Sequence, residues 1–178
     1  MTERQHRILF SALELFAKEG YDRTSTSRIA RHASVSEGLI FRHFQNKKGL
    51  LEAIMVLSAE KFREMVEPIL QESDPQLVLK KAIEMPFDID RSDYDFWRLQ
   101  FKLAWDNDLP KQDVLSRLIE KMSEAFTARG VTEPTNEAVM LFHVISAISK
   151  ELLRGKAEAE RELKNYLLRK YNLLEVAT

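Results

Sequence analysis

Residues 34–50, SVSEGLIFRHFQNKKGL, decide the reading of this chain. Gly38 stands where a short helix should begin, Leu39, Ile40, Phe41 and Phe44 crowd around Arg42 and His43, and Lys47 and Lys48 then open another helix. A helix amino terminus is the positive end of the helix dipole, so each lysine in that first turn forfeits roughly 0.3 to 1 kcal/mol relative to an acid. A phosphate would reverse the sign, because free backbone amides, dipole and lysine charge would face one anion. The glycine fits the same reading. A helix entering a major groove about 12 Å wide needs an uncluttered approach, and a residue without a side chain lets the backbone come close.

The flanking sequence supplies the rest of a helix-turn-helix. Leu9, Ala12, Leu13 and Phe16 repeat at helical spacing and predict a first helix from about Thr2 to Lys18, ended by Gly20. Thr26 is the expected N-cap of a short helix with Ile29, Ala30 and Ala33 inward; Ser34 and Val35 turn the chain, Ser36 caps the next helix, and Asn46 caps a long fourth helix reaching about Pro68. Further helices are expected near 75–85, 91–105, 111–129, 135–153 and 157–174. Helical periodicity throughout, with no convincing alternating segment, predicts an all-α fold of about nine helices. The expected division is 1–48 for DNA binding and 49–178 for the helical body.

Composition agrees with a folded protein that meets a polyanion. Of 178 residues, 44% are hydrophobic and 31% charged, which is outside the range of disorder. Net charge is −1, yet residues 1–50 hold nine Lys and Arg against five acids, leaving the remainder at −5. The absence of cysteine excludes disulfides, thiolate metal sites and a cysteine nucleophile. The spacing of His32 and His43 reads as incidental rather than as a metal pair, so no metal site and no cofactor are expected. No run of about eighteen apolar residues occurs, which makes a cytoplasmic protein without a membrane partner the expectation.

The stretch ILFSALELFAKEGYDRTSTSRIARHASVSEGLIFRHFQNKKGLLEAI, residues 8–54, resembles the DNA-binding region of the TetR family of transcriptional regulators. The resemblance implies a TetR-like fold and a recognition helix from Ser36 to Phe44. It puts Ser36, Glu37, Leu39 and Arg42 at groove-facing places, His43 and Lys47 at phosphate contacts, and Thr26 and Arg28 on the preceding helix beside the DNA. Together with Gly38 and Phe41 these are the expected DNA-binding residues. Arg28 and Arg42 suit guanine edges, and Leu39 suits a thymine methyl. The chain departs from the family in having Phe41 where tyrosine is usual and Ser34 where glycine is usual. A serine held left-handed costs about 1 to 2 kcal/mol.

For the body the resemblance implies ligand binding and dimerisation. Tyr94, Trp97, Phe101 and Trp105 fall on one helical face, with Phe87 before them; Met55, Phe62, Met122 and Phe126 are expected to complete an apolar cavity and His143 to anchor a ligand. Packing alone is the competing explanation of such a stripe. Surplus apolar surface on the last two helices, including Val139, Phe142, Ile145, Leu152, Leu163, Tyr166, Leu167 and Tyr171, suggests a four-helix interface between two copies. The function expected is that of a homodimeric regulator, a repressor released from a palindromic operator by a small apolar or aromatic molecule. The alternative is an architectural DNA-binding protein controlled by a protein partner. No catalytic motif supports an enzyme.

Overall fold

The computed structural model of the chain describes residues 1–106, 113–155 and 157–174. Its described residues form nine α-helices and no strand: α1 (Glu3–Glu19), α2 (Thr26–His32), α3 (Glu37–Phe44), α4 (Lys47–Leu70), α5 (Pro75–Glu84), α6 (Tyr94–Asp106), α7 (Asp113–Ala128), α8 (Pro134–Leu153) and α9 (Ala157–Lys170). Single 3-10 turns occupy Met85–Phe87 and Arg91–Asp93. The expected all-α, nine-helix architecture is therefore the observed one.

Two compact units emerge. Met1–Lys61 with Asp95–Leu109 forms the first, and Phe62–Tyr94 with Pro110–Thr178 the second. In the first, Ile8, Leu9, Ala12, Leu13 and Phe16 of α1 are buried with Ile29 of α2, Ile40 and Phe44 of α3, and Leu50 and Ile54 of α4. α1 begins with a capping box in which the Thr2 hydroxyl accepts from Gln5 N and the Gln5 side chain accepts from Thr2 N. α2 corrects the expectation for its start. Ser25, not Thr26, is its N-cap and accepts from Arg28 N, which leaves the Thr26 hydroxyl free for a tertiary contact. On α6, Phe96 is buried, packs edge-on to Trp97 with ring centroids 5.2 Å apart, and meets Phe10 at 5.8 Å.

The second unit is built on α4, α5, α7, α8 and α9. Val66 and Ile69, Leu79 and Ile83, Leu118, Met122 and Phe126, Leu141, Ile145 and Ile148, and Leu167 and Leu168 share one core. A polar clasp closes it. The Tyr171 hydroxyl donates to Glu137 Oε1 at 2.6 Å, Lys170 Nζ lies 3.0 Å from the same oxygen, and the Arg129 guanidinium donates to the Tyr171 carbonyl at 2.5 Å. The Tyr171 donation is the main cause holding the Glu137 carboxyl below its ordinary pKa, while burial pushes the Tyr171 phenol up.

Candidate DNA-binding site

α2, a turn and α3 form the helix-turn-helix, and backbone conformation fixes the turn. Ser34 has φ of 54°, the left-handed region where the absence of a Cβ would relieve strain. The Thr26 hydroxyl donates to Glu37 Oε1 at 2.6 Å and ties the first turns of α2 and α3 together. Buried Thr24 donates to the Gly20 carbonyl at 2.8 Å, anchoring the turn between α1 and α2. Thr26 and Glu37 are thus occupied with each other, a pairing that spacing in the sequence does not suggest.

The outward side of α3 carries Gly38, Phe41, Arg42 and His43, all exposed, with Ser36 exposed at its N-cap and Leu39 half-buried. A Cβ added at Gly38 meets nothing within 4 Å. His43 Nδ1 lies 3.3 Å from Gln5 Nε2, and Leu39, Arg42 and His43 share a surface concavity with Thr2, Glu3 and Arg4. Arg4 is therefore a further cation beside α3, one that the sequence marks only through its contribution to net charge. Arg28 is held at 2.5 Å by Glu19. Lys47 is more constrained than expected: its ammonium donates to the carbonyls of Tyr21 at 3.0 Å and Asp22 at 3.4 Å and sits 4.4 Å from the centre of the Tyr21 ring. Those contacts compensate its place at the positive end of α4 without any phosphate.

Sequence reasoning misses Gly49 altogether. A Cβ there would lie 1.9 Å from the Phe44 carbonyl oxygen, so the junction of α3 and α4 admits only glycine without moving backbone. The Asn46 side chain accepts from Gly49 N at 2.9 Å and caps α4 as expected.

Residues 8–54 match the family model of bacterial regulatory proteins, tetR family. The matched segment is the one that holds the helix-turn-helix described above. A segment of 55 residues is 49% identical to YvkB of Bacillus subtilis (strain 168), an HTH-type transcriptional regulator, covering 31% of this chain and 29% of YvkB. YerO of the same strain, another HTH-type transcriptional regulator, is 31% identical over 127 residues, or 69% of this chain and 43% of YerO. The chain thus spans less than half the length of these two relatives. Among solved structures, AibR in complex with isovaleryl coenzyme A and operator DNA superposes with a TM-score of 0.63 at 23% identity over 83% of this chain and 86% of that one.

The remaining expected site residues are divided between the two units. Met55, Trp97 and Phe101 lie in the first unit; Phe62, Phe87, Tyr94, Met122, Phe126 and His143 lie in the second. Met122 and Phe126 fill the core of the second unit, Lys164 Nζ covers the Phe87 ring at 4.9 Å, and His143 is exposed. The Trp105 side chain lies outside the described residues. Of the expected dimer set, Ile145, Leu152, Leu167 and Tyr171 are core residues of their own chain, so they are not available to a partner. Val139 and Phe142 are half-buried, while Leu163 and Tyr166 are exposed, as is Met140.

Proposed function

We propose that the chain is a homodimeric transcriptional repressor that reads a palindromic operator with residues 1–48 and releases it when a small molecule with an apolar body binds within residues 49–178. The observation that carries DNA reading is Gly38. It sits in the first turn of α3 at an exposed position where the fold has room for a side chain, so its lack of one answers to something outside the fold. Major-groove approach supplies that reason. Arg42 and Leu39 are the base readers in this scheme, with Arg28 joining them once it leaves Glu19, and Ser36 and His43 serve the phosphates, joined by Lys47 once it leaves the Tyr21 and Asp22 carbonyls. Dimerisation rests on the exposed Met140, Leu163 and Tyr166 of α8 and α9. α4 runs unbroken from Lys47 to Leu70 and offers a mechanical route from effector to operator. The isovaleryl coenzyme A and operator DNA bound by AibR support the same scheme for this chain.

Selection of random duplex DNA by the purified protein at near-physiological salt tests the reading. A symmetric motif with half-sites about one helical turn apart, or a multiple of it, is the expected result. Sequence-blind, salt-sensitive retention alone would instead favour an architectural protein controlled by a protein partner.

A further inference from the structure

The second unit contains a cleft between α4, α5 and the turn after α5, with a volume of about 400 Å³, within the range of small-molecule sites. Its apolar surface comes from Met65, Ile69, Met85 and Ile89. The two flexible thioethers let such a surface adapt to a chain as well as to a ring.

The charge of the cleft is one-sided. Glu64, Glu84 and Asp88 are among its lining residues, and Lys81 is the cation among them. Lys81 Nζ lies 2.7 Å from Glu72 Oε2, a contact that is the main cause of the Glu72 carboxyl falling to about 2. The lysine charge is therefore matched by Glu72, leaving three carboxylates without a counter-charge among the lining residues. Pro68 adds a fourth source of negative potential. Proline has no N–H, so the carbonyl of Glu64, one turn earlier in α4, lacks its usual helical donor, and both residues line the cleft.

We propose that this cleft binds an organic cation with an apolar tail, the head facing Glu64, Glu84 and Asp88 and the tail lying on Met65, Ile69, Met85 and Ile89. The proposal rests on the effector-responsive reading above for its consequence, so binding and operator release are measured separately. The full chain is titrated calorimetrically with decyltrimethylammonium below its micelle concentration, and with decyl sulfate and 1-decanol as partners sharing the tail. The cation binds, the sulfate does not, 1-decanol binds more weakly, and added salt weakens the cation. A Glu84→Gln/Asp88→Asn variant lowers its affinity about tenfold, given that partly exposed charge pairs are individually modest. The remote pair Glu120→Gln/Glu124→Gln leaves it unchanged. Failure of the cation to bind, equal binding of all three tails, or equal effects of the two double variants would overturn the proposal. Binding that leaves an operator complex intact supports the cleft and overturns its role as the effector site.

Discussion

Gly38 in the first turn of α3 and Gly49 in the first turn of α4 carry opposite constraints. At Gly38 a methyl group meets open space and alanine is the better helix former, so Gly38→Ala should raise stability by about 0.5 to 1 kcal/mol. The same change should weaken operator binding, because the added group stands where the groove wall approaches. Urea denaturation and a fluorescence anisotropy titration read the two effects, and unchanged DNA affinity would remove Gly38 from the interface. At Gly49 the added methyl collides with the Phe44 carbonyl, and backbone must move. Gly49→Ala should lose about 2 kcal/mol or more, in line with strained overpacking. Ser34→Gly should do the reverse, gaining about 1 kcal/mol by releasing a left-handed serine. Sequence inspection singles out Gly38 and Ser34 but not Gly49. Both glycines stand in the first turn of a helix, and the collision that demands Gly49 arises only when α3 and α4 meet at their observed angle.

At the scale of helices, periodicity locates every α-helix of the described residues but neither 3-10 turn, and it misplaces helix ends by up to four residues, as at α9, expected to reach 174 and ending at Lys170. Thr26 and Ser25 are both good caps in a run of hydroxyl residues, and only the partner of Thr26 on α3 separates them. The apolar stripes of α7 and α8 are legible too. What they face is not, since Met122 and Ile145 read equally as cavity or interface and are in fact core. The clasp at the end of α9 shows how little of tertiary polar structure a sequence displays: Glu137 and Tyr171 lie 34 residues apart. Tyr171→Phe should cost about 1 kcal/mol at neutral pH, the worth of one hydrogen bond to a charged acceptor that stays partly solvated. The folded-state pKa of Glu137 is depressed, so this contribution is complete above the ordinary value of 4.5 and is lost as pH falls through the lowered value. Chemical denaturation of both proteins from pH 7 down to pH 3 should show the gap closing towards acid. A gap that persists unchanged would mean that ring packing, and not the carboxylate, makes the difference.

For the whole molecule the decisive surface is the one the chain leaves uncovered on α8 and α9. Charge and periodicity reveal the basic amino-terminal region and a surplus of apolar residues near the carboxy terminus, but do not sort that surplus into residues used within one chain and residues offered to another. Burial does so: Ile145, Leu152, Leu167 and Tyr171 turn inward, whereas Tyr166 retains 54% of its accessible surface and Leu163 and Met140 are also exposed. A dimer through these side chains would set the spacing of two recognition helices, so its loss should destroy operator affinity without disturbing either helix-turn-helix. Tyr166→Arg tests this, because an arginine at an exposed site is tolerated by one chain but would bring two like charges together across a two-fold axis. Sedimentation equilibrium should report a monomer, circular dichroism an unchanged helix content, and binding to a single half-site should remain while the palindrome loses its advantage. A variant that stays dimeric and binds the palindrome as tightly as before would move the interface elsewhere on the molecule.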